Sequence, residues 1–417
     1  MNAPTLSARG WHTPVPPDHP AAALLSSTAV RERCAVVMGE VERGRSPFFT
    51  WNAAALPATA RYVANTVRYN YPDLAVPYHS RWRHFETGGI DRWQELGDRI
   101  TAADPLERAR VAVDLVIPSV LLDAGAGPHW RYHEPSTGCT LARSEGLGVA
   151  SLALFAGGAL SNQPEQPLRS DAAALAELSA ARLAEVFQVG PDNPLVGLEG
   201  RAALLRRLGE VAAATPAVFG SPARLGNLVD YFVARADRGV IEAEFVLATL
   251  LKALGPVWPG RISLRGIPLG DCWAHPALSD GLLPFHKLTQ WLTYSLLEPL
   301  EAAGLQVCGI DRLTGLPEYR NGGLLLDLGV IRPRDAGFWT TSWKVDSPAI
   351  VEWRALTVIG LDRLAVAVRA ELGLDAASFS LPKVLQGGTW AAGRRIAAQY
   401  RAGGTPPIDI VSDGTVF

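Results

Sequence analysis

The chain has 417 residues, of which 48% are hydrophobic and 19% are charged, with a formal net charge of -2 at pH 7. This composition is typical of a globular protein and is too apolar for a disordered chain. The near-neutral balance gives no broad basic surface, so we expect neither nucleic acid nor a membrane as a partner. The length permits one large domain or two fused lobes.

The cysteines are spaced far apart and form no CxxC pair, which is typical of reduced thiols in a cytosolic protein. They are Cys34, Cys139, Cys272 and Cys308. The first 20 residues lack the basic start and apolar core of a signal peptide. No uninterrupted apolar run reaches the roughly 18 residues of a membrane span. We therefore expect a cytoplasmic protein.

Helical periodicity dominates the chain. Residues 1–25 form a Pro-rich lead that we expect to be flexible. Apolar positions three and four apart then recur, most densely from Ser170 to Leu254, and Gly/Pro turns separate the runs. The alternating β-α-β rhythm of a doubly wound sheet is absent. We predict a mainly α fold with small β elements in one large domain, 26–417. A division into lobes 26–165 and 166–417 stays open.

The stretch from Asp280 to Arg332 places polar side chains among apolar residues that must be buried. A solvated surface helix would carry many more charges. We predict a helix followed by a loop and a strand, which together form the floor of a small-molecule site. Its polar residues include His286, Lys287, Gln290, Tyr294, Thr314, Glu318, Tyr319, Arg320, Asn321 and Asp327.

Several carboxylates lie near aromatic residues, where a charge is costly unless it is paired or functional. They are Glu134, Glu145, Asp271, Glu318, Asp327 and Asp413. For any one of them a structural ion pair is the commoner explanation, but the set favours a site. Ser144 is the predicted N-cap of a helix that places Glu145 in its first turn, where the helix dipole favours a carboxylate.

Other motifs give weaker signals. His129 and His133 have the four-residue spacing of metal ligands on a helix, but the nearby prolines argue against a long helix. We therefore predict no metal and no cofactor. The segment Gly387–Thr389 is predicted to open a helix, which would either hold an anion or simply start there. No GxSxG motif or other nucleophile framework occurs.

The chain resembles the uracil-catabolism protein four family of fungi and bacteria from about residue 30 to its end. The resemblance rests on many blocks in the same order: HSRWRHFETGG, WRYHEPSTGCTLARSEGLGVASLALF, GDCWAHP, PFHKLTQWLTYSLLEPLEAAG, LTGLPEYRNGGLLLDLGVI, VEWRALTV, QGGTWAAGR and SDGTVF. It implies a substrate with an N-glycosidic bond, ribosylurea or its 5′-phosphate, from which urea is released.

A fainter likeness links the chain to queuosine-salvage nucleotide N-glycosylases, which are helical proteins related in fold to DNA glycosylases. In those proteins an aromatic–acid–basic motif opens a helix that ends near a Gln. The comparable segment here is PFHKLTQ, in which Lys287 and Gln290 match but Phe285 occupies the acid position. The resemblance therefore implies that another element supplies the acid.

Cleavage of a ribosyl–urea bond needs a carboxylate to stabilise an oxocarbenium-like state and a donor for the leaving urea. Our candidate carboxylates are Glu318, Asp327 and Glu145. Asn321 and Gln290 suit the amide edges of urea. The remaining candidates are Lys287, Arg320 and Arg143 for a phosphate, and Trp291, Tyr294 and Tyr319 to close the pocket.

Two alternatives stay open. The first is a ureide amidohydrolase, an amidase or ring-opening hydrolase that acts on a ureide, although such an enzyme more naturally needs a metal or a nucleophile. The second is a non-catalytic binding or scaffold protein of the same pathway that sequesters a reactive intermediate. The sequence leaves the oligomeric state and the phosphorylation of the ribosyl substrate open.

Overall fold

The structure, a computed structural model, describes residues 15–16, 18–100, 104–258 and 262–411. The described chain is mainly helical with short strands, which confirms the predicted fold class. The α-helices are α1 (Ser27–Glu42), α2 (Leu56–Asn70), α3 (Trp82–Phe85), α4 (Arg92–Gly97), α5 (Glu107–Leu121), α6 (Arg143–Ala156), α7 (Ala172–Ala176), α8 (Ala180–Val186), α9 (Leu198–Ala213), α10 (Pro216–Phe219), α11 (Leu228–Val233), α12 (Ala243–Ala253), α13 (Lys287–Ala302), α14 (Tyr319–Asp327), α15 (Pro348–Leu372), α16 (Leu381–Lys383) and α17 (Ala391–Tyr400).

The described strands are short and form two-stranded sheets. They are β1 (Phe49–Trp51), β2 (Tyr132–His133), β3 (Thr140–Leu141), β4 (Val240–Glu242), β5 (Ser263–Leu264), β6 (Ile267–Pro268), β7 (Cys272–Ala274), β8 (Leu282–Pro284), β9 (Gln306–Cys308), β10 (Ile331–Pro333), β11 (Ser342–Lys344) and β12 (Asp409–Val411). β1–β10, β2–β3, β5–β6 and β7–β8 are antiparallel, whereas β4–β9 and β11–β12 are parallel.

One buried apolar cluster extends from Leu25 to Ile410 and draws residues from both proposed lobes. Its centre is α15, which is buried on nearly all sides from Ala349 to Leu361 and packs against α1, α2 and α14. A helix that is apolar all round belongs in the interior of a large domain. α13 packs between α5 and α12. None of the described helices is both long and apolar enough to cross a membrane.

Most of the Pro-rich lead, residues 1–14 and 17, lies outside the described residues, as do the terminal SDGTVF block and Asp413. Within the described part of that lead, Pro20–Leu24 forms a short 3-10 helix.

The predicted loop and strand after α13 are wrong, because residues Tyr319–Asp327 form the helix α14. The glycine pair that suggested a turn lies inside this helix and permits close packing. A Cβ atom on Gly322 would lie 2.3 Å from Cζ2 of the buried Trp353. Glycine at this position therefore brings α14 against α15.

The helix start predicted at Gly387–Thr389 is also wrong. These residues lie inside a π-helical segment, Val384–Trp390, that continues into α17, so no free helix N-terminus exists there to hold an anion. Cβ atoms on Gly387 and Gly388 would lie 2.8 Å from Val76 Cγ1 and 2.9 Å from Val63 Cγ1. These glycines thus serve close packing against α2 and the segment after it.

The helical spacing considered for His129 and His133 does not occur. His133 belongs to β2, and His129 lies in a bend before it. The described residues contain no group of three or more His, Cys, Asp or Glu side chains placed to hold a metal ion.

Candidate functional site

A cavity of about 610 Å³ lies where the N-terminal ends of α6, α13 and α14 converge on the loop that follows α5. Its volume is within the range of small-molecule sites. The lining residues are His79, His84, Asp123, Ala124, Gly125, Ala126, Gly127, Pro128, Arg143, Ser144, Glu145, Lys287, Leu288, Trp291, Leu316, Glu318, Tyr319, Arg320, Trp390, Arg394 and Pro406.

Lys287 reaches the cavity from the first residue of α13. His286, immediately before it, has a left-handed backbone with φ 48°, and its ring Nε2 lies 2.8 Å from the carbonyl oxygen of Leu24. Burial and the neighbouring Arg354 lower the pKa of Lys287 to about 8. Lys287 is thus a cation at neutral pH that can release a proton readily.

Asp271 holds the start of α13 in place. Its Oδ2 atom accepts the backbone N–H of Lys287 at 2.9 Å, and its Oδ1 atom accepts the indole N–H of Trp273 at 2.6 Å. Arg354 of α15 donates one bond of 2.8 Å to each of these two oxygens. This buried pair keeps the pKa of Asp271 well below its usual value despite burial. The position of Lys287 therefore depends on an ion pair with the central helix.

Glu318 is the N-cap of α14. Its two carboxylate oxygens accept the backbone N–H groups of Arg320 at 2.7 Å and Asn321 at 2.6 Å. Burial raises the pKa of Glu318, although these amides and Lys287 act in the opposite direction. The side chain is therefore fixed in one orientation at the cavity wall.

Arg143 and Glu145 lie at the start of α6. The helix begins at Arg143 with Ala142 as its N-cap, so the prediction that Ser144 caps it is wrong. Arg143 has φ 54°, an uncommon conformation for a residue with a side chain. Glu145 accepts a bond of 2.7 Å from Arg394 of α17. Burial would raise the pKa of Glu145, but the charge of Arg394 lowers it, and the pKa lies below its usual value.

Two histidines form a further part of the wall. Burial lowers the pKa values of both His79 and His84 to about 4, so both rings are neutral at pH 7. His79 Nδ1 lies 2.8 Å from Oε1 of Gln386 and therefore carries the proton. His84 packs edge-on against Trp291, with the ring centres 5.8 Å apart. The indole N–H of Trp291 and Nδ1 of His84 are buried without a hydrogen-bond partner among the described residues.

The structure brings most of the predicted site residues to this cavity. They are Glu318, Glu145, Lys287, Tyr319, Arg320, Arg143 and Trp291. Sequence reasoning did not select His79, His84, Asp123, Trp390 or Arg394 as site residues. His79 and His84 lie in the charge-rich segment HSRWRHF. Asp123 lies in the glycine-rich segment DAGAG, and Trp390 and Arg394 lie in QGGTWAAGRR. The density of charge and of glycine in these segments is the sequence feature that could have indicated them.

The other four predicted residues lie outside the cavity lining, where each has internal partners. Gln290 exchanges bonds with Thr314 and also binds the carbonyl of Phe285, and the hydroxyl of Tyr294 binds the carbonyl of Thr314 at 2.8 Å. Asn321 connects the Leu316 carbonyl to the hydroxyl of Thr389.

Asp327 ends α14 at the opposite side from the cavity and forms two bonds of 2.8 and 2.5 Å with Arg401. These four side chains therefore have structural contacts. Gln290 and Tyr294 join α13 to Thr314, Asn321 joins α14 to the π-helical segment, and Asp327 joins α14 to the end of α17.

Four cations and three carboxylates face each other among the described lining residues, and both histidines are neutral. Burial and the nearby Arg394 and Arg143 lower the pKa of Arg320, with Glu318 acting in the opposite direction. The three guanidinium groups thus lie close enough to repel one another. Such a cluster at two helix N-termini attracts an anion.

The chain is similar to proteins of known sequence over almost its full length. A family model described as protein of unknown function (DUF1688) matches residues 23–417. Protein urg3 of Schizosaccharomyces pombe is 39% identical over 404 residues, covering 95% of this chain and 98% of that protein. Uracil catabolism protein 4 of Lachancea kluyveri is 37% identical over 439 residues, covering 96% and 99%.

We expect Asp271→Asn to destabilise the protein by about 3–5 kcal/mol, because it removes the charge opposite the buried Arg354. Denaturant unfolding measures this loss. The matched control is Asp280→Asn, which breaks the exposed pair between Arg33 and Asp280 and should cost no more than about 1 kcal/mol. Equal losses in the two variants would contradict the special role of the buried pair.

Proposed function

Because the chain belongs to the DUF1688 family, we propose that it acts in uracil catabolism, like its relative uracil catabolism protein 4. We propose further that it hydrolyses the N-glycosidic bond of ribosylurea or its 5′-phosphate, which gives urea and ribose or ribose phosphate. The observation that carries this proposal is the cavity in which Lys287 and Glu318, interacting electrostatically, meet an arginine cluster and aromatic walls.

Lys287 and Glu318 suit the two ends of the scissile bond. As the C1′–N bond breaks, its electron pair moves to the urea nitrogen, and the ammonium of Lys287 donates a proton there. The ribosyl ring gains positive charge, which the Glu318 carboxylate stabilises. Since the backbone of α14 already fixes this carboxylate, it needs no reorganisation during the reaction.

The neutral polar groups beside Lys287 suit the urea. Urea offers a carbonyl acceptor and two amide donor edges. The indole N–H of Trp291 can donate to the carbonyl, and the neutral rings of His79 and His84 can accept from the amides. A charged imidazole could not accept, so the lowered pKa values matter for this role.

The arginine cluster suits a phosphate. Arg143 and Arg320 lie at the starts of α6 and α14, and Arg394 stacks over Trp390, with its guanidinium 4.9 Å from the ring centre. One guanidinium group can bind two phosphate oxygens at once, and helix N-termini add backbone N–H donors. We therefore favour the 5′-phosphate over the free nucleoside.

Purified protein incubated with ribosylurea 5′-phosphate tests the proposal, with urea and pentose phosphate measured as products. Release of both in equal amounts is expected. Ammonia without urea would support the ureide amidohydrolase instead. Tight binding of the substrate without any product would support the non-catalytic binding protein.

Glu318→Gln should reduce kcat by about 100-fold or more, because it removes the charge that stabilises the transition state. Asp327→Asn is the matched control, since it changes a buried carboxylate at the other end of the same helix but outside the cavity. It should keep kcat within a few-fold of the unsubstituted enzyme. If the Glu318→Gln variant keeps its kcat, or if kcat falls equally in both variants, the proposal that Glu318 stabilises the transition state is wrong.

The pH dependence of kcat/KM should show an alkaline limb near pH 8. Lys287 donates only when protonated, so activity falls as the pH rises through its pKa of about 8. Lys287→Arg should move this limb out of the measurable range, because arginine stays protonated. Lys252→Arg, an exposed change in α12, should leave the limb in place. A limb that survives in the Lys287 variant would assign it to another group.

Arg143→Gln should raise KM for ribosylurea 5′-phosphate by about tenfold, equivalent to about 1.4 kcal/mol, through the loss of a charge-assisted contact. KM for ribosylurea should stay within about twofold. Arg131→Gln, which removes an exposed arginine outside the cavity, is the control. Equal changes for both substrates would remove the phosphate-binding role of Arg143.

A further inference from the structure

Asp123 occupies the cavity wall at the first position of the glycine-rich loop after α5. Its side chain is only 12% exposed, and its Oδ1 atom lies 3.1 Å from Nη1 of Arg81, whose side chain is fully buried. Small residues follow it, with Gly127 in a left-handed conformation at φ 88°. The loop therefore brings a carboxylate to the cavity without bulky neighbours on its own segment.

Arg81 is fixed behind Asp123 by partners on several elements. Its Nε atom donates to Ser119 of α5 at 2.7 Å, and its Nη1 atom donates to the carbonyl of Ser144 at 3.2 Å. Its guanidinium lies 5.7 Å from the ring centre of Trp291. A Cβ atom on Gly148 would lie 3.5 Å from Arg81 Cζ and 2.9 Å from His84 Cβ, so a glycine there leaves room for this arrangement.

The three cavity carboxylates differ in how their oxygens are used. Both oxygens of Glu318 accept backbone N–H groups, and Glu145 is tied to Arg394, whose side chain is 46% exposed. Asp123 Oδ1 is buried, and no donor among the described residues meets it with hydrogen-bond geometry. Asp123 is held by the charge of Arg81 and by a hydrogen bond from Ser144.

The electrostatic setting keeps Asp123 ionised. Burial would raise its pKa, but the charge of Arg81 and a hydrogen bond from Ser144 help to hold the pKa below its usual value. Lys287 also interacts electrostatically with Asp123, with Glu318 and with Asp271. A proton donor and a second carboxylate, ionised at neutral pH, therefore face the same space.

We propose that Asp123 is the catalytic residue that orients the hydrolytic water and takes its proton, with Arg81 as its positioning residue. This inference rests on the proposed N-glycoside hydrolysis. It also supplies an acid from a loop in place of the one that Phe285 replaces at the start of α13. A weak base suffices here, because the oxocarbenium-like ribosyl group is a strong electrophile.

The step balances without any further reactant. The C1′–N bond breaks towards urea, whose nitrogen takes a proton from Lys287. The water oxygen bonds to C1′ and loses a proton to Asp123. Transfer of that proton from Asp123 to the Lys287 amine, through solvent, restores both groups. The net reaction consumes one water and releases urea and the pentose.

Asp123→Asn tests the proposal in the full chain. We expect kcat for urea release to fall by about 100-fold or more, as for loss of a general base. The Kd for ribose 5-phosphate, measured by calorimetry, should change less than about threefold, since the arginine cluster is intact. Asp171→Asn is the control, because it breaks a buried pair with Arg169 outside the cavity and should leave kcat unchanged.

Two further measurements test the role of Asp123: rescue of an Asp123 variant by formate, and the pH profile of an Arg81 variant. Formate should restore part of the activity of Asp123→Ala by supplying a carboxylate. Arg81→Met should raise the pKa of Asp123, so that activity at low pH is lost and returns as the pH rises. A merely structural role for Arg81 would lower stability without moving this acid limb. This pH profile decides the question even if the Asp123 variants do not fold.

The outcomes separate this inference from the proposed function. If the unsubstituted protein releases no urea, the proposed hydrolysis fails. If it releases urea, but Asp123→Asn keeps its kcat within about threefold or Arg81→Met leaves the acid limb in place, the role of Asp123 is overturned.

Discussion

The ion pair between Asp271 and Arg354 connects the central helix to the cavity. Arg354 lies in the fully buried part of α15, and its guanidinium is 4.1 Å from the ring centre of Phe285. Asp271 forms an ion pair with Arg354 and also accepts the first backbone N–H of α13. Removing either charge would leave the other buried without compensation. The start of α13, and with it Lys287, is therefore fixed by the core.

The other two helix starts that reach the cavity also carry a carboxylate. The carboxylate of Glu318 caps the start of α14, and α6 begins at Arg143, two residues before Glu145, which pairs with Arg394. Each helix end directs partial positive charge towards the cavity. The field of three such ends, added to four cationic side chains, explains why buried carboxylates can coexist there and supports the proposal of an anionic substrate.

The sequence predicted the fold class and a stretch that lines the cavity, because both signals are local. Helical spacing is visible over α13, and the polar residues at its start stand out against apolar neighbours. The sequence could not separate side chains that face a ligand from those that face the protein. Gln290 and Tyr294 are as polar and as buried as a binding residue, but their partner is the backbone of Thr314, which is distant in sequence. Asp123 joins the cavity only through tertiary packing.

Glycine caused the errors in secondary structure. The pairs at 322–323 and 387–388 are typical of turns in a sequence, but here they lie inside helical segments where neighbouring side chains approach closely. A glycine in the sequence shows only that the position lacks a side chain. It does not show whether the structure needs a turn there or close packing against a neighbouring helix. The contact partners, Trp353 for Gly322 and Val63 for Gly388, come from other helices and cannot be read locally.

The packing of Phe285 explains why an acid is absent at the position where the glycosylase likeness expects one. Its ring is fully buried against Arg354, and Asp271 already occupies both outer nitrogens of that guanidinium. A carboxylate at 285 would compete with Asp271 for one cation, and one of the two charges would be buried unpaired. A carboxylate at 285 would therefore lack a counter-ion of its own. Asp123 has such a partner in Arg81, which is equally buried and is held behind it by Ser119 of α5.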